Sequence, residues 1–309
     1  MSTRSYDWIA HHASIRGDQL AGVDLSTDRS FTYAEMNGRT NRLANALAGE
    51  LGIGEGDRVA VLANNNTNFF EVQFACWKLG AIFVPLNWRL AVPELEFIAG
   101  DCGPRAILFD DDMAEPAGQV AKSCGIEHRI DWEGGTASAD ADVIDYEEML
   151  AASDPEHTAI LTTHDTPLTI MYTSGTTGRP KGAIITHGMT LWNAVNCTEF
   201  FRLGSDMVNL AFLPCFHTGG LNVFANPAYH FGGSNLVVRS FDPAAVLQLL
   251  TDPDIGVTHF IGVPANYLFM SQVPAFETAT FPTIVAAAVG GSPPPLPLIE
   301  RWDAKGLPL

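Results

Sequence analysis

One strand, helix, strand unit constrains this chain more than any other feature. Residues 58–63 form a short apolar run that reads as a strand, and residues 81–85 form a second. Between them, Asn68-x-x-Glu71 has the pattern of a capping pair that opens a helix running to Leu79 and stopping at Gly80. Strands joined through a helix pair in parallel, with a right-handed crossover. The rhythm continues with a helix over residues 93–99 stopped by Gly100, a strand over 106–109 and a helix near 112–122. Such alternation predicts an α/β fold built on a doubly wound sheet.

The flanks extend this reading. Thr32 and Glu35 form a capping box, and Met36, Thr40, Leu43 and Leu47 recur on one face of the helix that follows. Residues 132–145 are rich in Gly, Ala, Ser and Asp without periodicity, which predicts a surface loop, and residues 146–152 read as a short helix. That stretch is the expected junction between two sub-domains, residues 1–160 and 161–309. Beyond it, strands are expected at residues 208–213, 236–238, 257–263 and 283–289. Helices are expected after His187, from Asp242-Pro243, from Pro264 and over residues 297–305, with Gly306 as the C-cap of the last and 307–309 as the start of a further strand. His259 sits inside an apolar strand and is expected to be a satisfied core residue.

Residues 169–187 read Thr-Ile-Met-Tyr-Thr-Ser-Gly-Thr-Thr-Gly-Arg-Pro-Lys-Gly-Ala-Ile-Ile-Thr-His. The apolar run 168–172 stops at a tract of hydroxylated residues and glycines, and the run 183–185 starts directly after it, so the loop is pinned by a strand at each end. Gly175, Gly178 and Gly182 let backbone N–H groups turn inward, while Thr173, Ser174, Thr176 and Thr177 offer hydroxyl donors. Lys181 and Arg179 supply positive charge, and Pro180 stiffens the approach by fixing φ. The natural guest is a polyphosphate. A flexible linker is the competing reading, but linkers need neither apolar walls nor a lysine behind a proline. A P-loop needs Gly-Lys-Ser/Thr at the opening of a helix, whereas Lys181 follows Pro180 and precedes a strand.

Charge sharpens the point. Seventeen basic against 35 acidic residues leave a net charge of −18, which disfavours nonspecific binding to nucleic acid or to an anionic membrane. An anionic ligand must meet a locally positive site, which gives Lys181 and Arg179 their weight. Cys76, Cys102, Cys124, Cys197 and Cys215 show no spacing that would make a zinc site or a disulfide framework, so a reduced, cytoplasmic compartment is expected. No apolar run approaches the roughly 18 residues of a membrane helix, and a soluble protein is expected.

The run Tyr172-Thr-Ser-Gly-Thr-Thr-Gly-Arg-Pro-Lys-Gly182 resembles, without a gap, the AMP-binding signature of the adenylate-forming enzymes: acyl-CoA synthetases, peptide-synthetase adenylation domains and luciferases. Phe31-Thr-Tyr-Ala-Glu-Met-Asn37 and Leu79-Gly-Ala-Ile-Phe-Val-Pro-Leu-Asn87 resemble two structural core motifs of the same family. The resemblance implies the stacked doubly wound sheets of the large N-terminal domain of the acyl-CoA synthetase/luciferase-like fold, incomplete at its C-terminal end. It also implies an ATP-dependent acid–thiol ligase that forms an acyl-adenylate and passes the acyl group to CoA. ATP, Mg2+ and CoA are the implied cofactors and a small carboxylic acid the partner, with a homodimer allowed.

Site residues follow from the same resemblance. Thr173, Ser174, Gly175, Thr176, Thr177, Gly178 and Lys181 would hold the phosphates of ATP. Cys215-Phe-His-Thr-Gly-Gly220 follows a strand end, where open α/β sheets bind ligands, although a lone His is by itself more often structural. Its likeness to the family's His-x-Gly-Gly region gives His217, with Thr173 and Lys181, a catalytic role. The same likeness sets His217, Gly219 and Gly220 beside the acyl pocket, where a side chain added at Gly220 would enter open space. Val263 and Pro264 lie in the segment equivalent to the acyl tunnel. Gly290-Gly291-Ser292-Pro293 resembles the adenine-contacting Gly-Gly-Ala-Pro, although an ordinary Gly-Pro turn is an equal reading of these residues alone.

No metal ligand is expected here, because the family's metal-binding Glu falls in a later part. The expected substrate is a medium- or long-chain fatty acid, since residues 217–231 are rich in Leu, Phe, Ala and Gly; an aryl acid of cinnamate or benzoate type is the alternative. No Asp marks the pocket segments, which disfavours a peptide-synthetase domain. The family's ribose-binding Asp, its hinge and the small C-terminal domain with the catalytic Lys have no counterpart in these residues. The chain alone is therefore expected to be inactive, and a non-catalytic nucleotide-binding fragment is the competing reading.

Overall fold

The computed structural model describes residues 3–136, 138–157, 159–173 and 179–309. The chain runs through α1 (Trp8–Arg16), β1 (Leu20–Asp24), β2 (Arg29–Thr32), α2 (Tyr33–Gly49), β3 (Arg58–Leu62) and α3 (Asn68–Leu79). Next come β4 (Ile82–Pro85), α4 (Val92–Cys102), β5 (Ala106–Phe109), α5 (Ala114–Cys124), β6 (His128–Asp131), β7 (Val143–Asp145) and α6 (Tyr146–Ala152). Then follow β8 (Pro167–Thr173), β9 (Lys181–Thr186), α7 (His187–Phe201), β10 (Val208–Ala211), α8 (Thr218–Leu221) and α9 (Ala225–Phe231). The last elements are β11 (Ser234–Val237), α10 (Pro243–Thr251), β12 (His259–Gly262), α11 (Pro264–Gln272), β13 (Ala286–Val289) and α12 (Leu296–Asp303).

Two compact units result: residues 1–18 with 33–190, and residues 19–32 with 191–309. The boundary expected near residue 160 falls inside the first unit, because β8 pairs with β4 and draws the following hairpin into the first sheet. Among the described residues the first unit carries a seven-stranded sheet of order β7-β6-β5-β3-β4-β8-β9, parallel except for the β8–β9 pair. Ala60, Leu62, Val84, Ile107 and Phe109 pack there against Leu95 and Ile98 of α4 and Ala117 and Val120 of α5.

Every residue of α3 is buried, as its apolar composition all round the helix demands. Its charges are therefore paired. Glu71 accepts from Arg39 Nε at 2.9 Å and from the Tyr146 hydroxyl at 2.7 Å, and Lys78 meets Asp7 and Asn37. The capping pair expected from Asn68 and Glu71 does not form. Thr67 holds the N-cap position, Asn66 Oδ1 accepts from Phe69 N at 3.2 Å, and the Glu71 carboxylate is turned to Arg39 and Tyr146.

Gly80 ends α3 at a φ of 65°, as expected. Gly100 does not end α4; the buried stripe of Leu95, Ile98, Ala99 and Cys102 carries the helix on to Gly103, at a φ of 58°. A single interior glycine costs only about 1 kcal/mol, which such burial offsets. Residues 132–145 are not all loop, for β7 pairs there with β6, and β6 itself had no strong signal. The turn between them is built on the buried Asp131, whose carboxylate accepts from the N–H of Glu133, Gly134 and Thr136.

The second unit carries, among the described residues, a sheet of order β13-β12-β10-β11-β1-β2, parallel except for the β1–β2 hairpin. Leu210, Leu236 and Phe260 pack on Val246, Leu250, Tyr267, Met270 and Trp302 from α10, α11 and α12. Asp242 caps α10 by accepting from Ala245 N at 2.8 Å. His259 is a satisfied core residue: Nε2 lies 2.9 Å from the Phe201 carbonyl oxygen and Nδ1 lies 2.8 Å from Thr258 Oγ1. Residues 307–309 belong to no strand; Leu307 instead joins this core. No helix among the described residues is long and apolar enough to cross a membrane.

Candidate active site

In the first unit, β8 and β9 form an antiparallel hairpin with Tyr172 opposite Gly182 and Thr173 opposite Lys181. Directly opposed residues share a face, so the side chains of Thr173 and Lys181 leave the hairpin on the same side at its open end. Both are exposed, and Lys181 opens a strand rather than a helix. Among the described residues no carboxylate pairs with Lys181, so its charge is available to a ligand. Ser174, Gly175, Thr176, Thr177 and Gly178 lie outside the described residues.

The hairpin is held from behind. The Tyr172 hydroxyl donates to Asp101 Oδ2 of α4 at 2.5 Å; burial first, and then this bond, push the phenol pKa up. Gly182 is required because a Cβ there would stand 2.7 Å from Ile170 Cγ2 and 3.1 Å from Tyr172 Cζ. Arg179 lies with its guanidinium 6.0 Å from the Phe97 ring. Asp101 and Phe97 had no sequence signal, since the partners of Tyr172 and Arg179 are far away in the chain.

In the second unit, β10, β12 and β13 run in parallel and therefore release their loops at one end of the sheet. Those loops carry His217, Val263-Pro264 and Gly290–Pro293. Gly290 N donates to the Gly262 carbonyl at 3.1 Å. Gly291 has a φ of 80° and would place a Cβ 3.3 Å from Val263 Cγ1, so the turn lies directly on Val263. Pro264 opens α11, and Asn266 Oδ1 accepts from Val263 N at 2.9 Å. Beside it, Pro264, Leu268, Pro295 and Leu298 line an apolar cavity of about 430 Å³.

His217 is exposed and caps the short α8, its Nδ1 accepting from Gly219 N at 3.1 Å. Gly219 leaves room, with the nearest neighbour of a Cβ at 3.4 Å. Gly220 does not: a Cβ would stand 2.3 Å from the Pro214 carbonyl oxygen and 2.6 Å from that of Leu213. The open space expected at Gly220 is absent, and this buried glycine serves close backbone packing. No cluster of three or more His, Cys, Asp or Glu side chains among the described residues could hold a metal ion.

Residues 9–308 match the model of the AMP-binding enzyme family. The chain is 36% identical over 278 residues to a feruloyl-CoA synthase of Amycolatopsis sp, an alignment covering 90% of this chain and 52% of that protein. It is 33% identical over 306 residues to the long-chain-fatty-acid–CoA ligase FadD13 of Mycobacterium tuberculosis, covering 98% of this chain and 58% of that one. Among solved structures, the inhibitor-bound N-terminal domain of FACL13 from Mycobacterium tuberculosis superposes with a TM-score of 0.83 at 32% identity, over 97% of this chain and 73% of that one. The chain thus spans little more than half the length of the curated relatives it matches. A match that takes in every strand of both sheets goes far beyond one shared loop: the chain belongs to the family of AMP-binding enzymes.

Proposed function

We propose that this chain is the nucleotide-binding part of an AMP-forming acid–CoA ligase. In that reaction a carboxylate attacks the α-phosphorus of ATP to give an acyl-adenylate and pyrophosphate, and the thiol of CoA then takes the acyl group and releases AMP. The observation that carries the reading is the β8–β9 hairpin, which sets Thr173 opposite Lys181, a lysine that pairs with no carboxylate among the described residues, at the two ends of the Gly/Ser/Thr segment. Donors fixed before the ligand arrives suit a polyphosphate and are worth several kcal/mol where charge develops. Thr173 and Lys181 would hold phosphate oxygens together with Ser174, Gly175, Thr176, Thr177 and Gly178.

His217 has a defined tautomer for its part. Because Nδ1 accepts from Gly219 N, the neutral ring carries its proton on Nε2, which is free to donate to a carboxylate or phosphate oxygen. The turn Gly290, Gly291, Ser292 and Pro293 would receive adenine, since two residues without side chains admit a flat ring close to the backbone. Gly219, Val263 and Pro264 would border the acid. Magnesium, which accompanies ATP, would meet no group of three or more His, Cys, Asp or Glu side chains among the described residues.

A medium- or long-chain fatty acid is the proposed substrate, supported by the apolar composition of residues 217–231 and the apolar cavity at Pro264. The higher identity to a feruloyl-CoA synthase favours a second reading, a cinnamate-type acid. Titrating the chain with dodecanoyl- and feruloyl-sulfamoyladenosine separates them. Tighter binding of the first supports a fatty acid, tighter binding of the second supports an aryl acid, and binding of neither overturns the adenylate-forming reading.

A further inference from the structure

Helix α4 grips the hairpin on both sides of the loop. Phe97 and Asp101 are four residues apart and share a face of the helix. Asp101 takes the hydroxyl of Tyr172, the last residue but one of β8, and Phe97 carries the guanidinium of Arg179, just before β9. The 2.5 Å bond to Asp101 has the length of a charge-assisted O–H···O⁻ contact. The Tyr172 ring is wedged further by Gly182, where no side chain fits. Successive strand side chains point to opposite faces, so tethering Tyr172 on one face fixes Thr173 on the other, with Lys181 opposite it.

We propose that Asp101 and Phe97 are positioning residues, by which α4 holds the two stems of the hairpin in register so that Thr173 and Lys181 meet a nucleotide triphosphate already assembled. The inference rests on the nucleotide-binding reading. It differs from plain structural support in what it spares: loss of the tether loosens the hairpin and the triphosphate site, while the core clusters beneath keep their packing.

The test combines backbone amide exchange in the β8–β9 hairpin with ATP titration of the 309-residue chain. Asp101→Ala and Tyr172→Phe should each speed exchange in the hairpin but not in β3 or β5, and weaken ATP binding roughly five- to twenty-fold. The double variant should be no worse than Tyr172→Phe, because that change already removes the bond to Asp101 together with the contact to the Cys102 thiol. Asp101→Asn, which keeps an acceptor oxygen but loses the charge, should fall between Asp101→Ala and the wild type in both measurements. Phe97→Leu should speed exchange around residue 181 alone. Unchanged exchange and unchanged ATP affinity in Asp101→Ala, with Lys181→Ala clearly weakened, would overturn the inference and leave the nucleotide reading standing. Equal, negligible ATP binding by wild type and Lys181→Ala would overturn the nucleotide reading and the inference with it.

Discussion

A Cβ at Gly220 meets two backbone carbonyl oxygens that have nowhere to go, whereas one at Gly219 meets only ordinary contact distances. Gly220→Ala should therefore lower stability by about 1–3 kcal/mol, and Gly219→Ala by much less. Urea unfolding of the two variants checks the contrast, and equal loss would mean that the loop after β10 yields as a whole. His187 gives a second residue-scale prediction. It is buried edge-on to Trp77 at 4.4 Å; burial first, and the nearby His164 second, lower its pKa to about 4. The unfolded chain binds the proton at about pH 6.5, so stability falls as pH drops from there towards 4, by up to about 3 kcal/mol from this group. In His187→Phe the slope of stability against pH across that window should flatten; an unchanged slope would show that the imidazole is not kept neutral by its site.

At the scale of elements, what was legible in the sequence depended on length and on burial. Residues 106–109 and 146–152 could be bounded by eye because each is flanked by breaks and buries a clear set of residues. The β1–β2 hairpin and β7 escaped because strands at or near a sheet edge are only partly buried and show no continuous apolar run like that of residues 106–109. Asn68 and Glu71 misled because a capping pattern states only what a carboxylate could bind locally, while Arg39 and Tyr146 outcompete a helix N–H from elsewhere in the fold. That network carries its own prediction. Arg39→Ala would leave Glu71, 1% exposed, without its cation, and should cost about 3–5 kcal/mol. Denaturant unfolding of Arg39→Ala and of the double variant Arg39→Ala/Glu71→Gln checks it, the second being the less destabilised because no buried charge remains.

At the scale of the whole molecule, the β8–β9 hairpin, the His217 loop and the Gly290–Pro293 turn were all legible as segments, since loop chemistry is local. Their supports were not. Phe97 and Asp101 behind the hairpin come from a distant part of the chain and carry no motif of their own, and nothing in the sequence joins Val263 to Gly291, which lies on it. A chain with a net charge of −18 repels an anionic nucleotide everywhere except where a few cations are gathered, so the central claim stands on Lys181. The most direct measurement is the dissociation constant for ATP of the wild-type chain against that of Lys181→Ala, at one ionic strength. A charge-assisted hydrogen bond contributes about 1.5–3 kcal/mol, so the variant should bind roughly ten- to a hundred-fold more weakly. Equal affinity in the two proteins would contradict the assignment of the β8–β9 hairpin to the triphosphate.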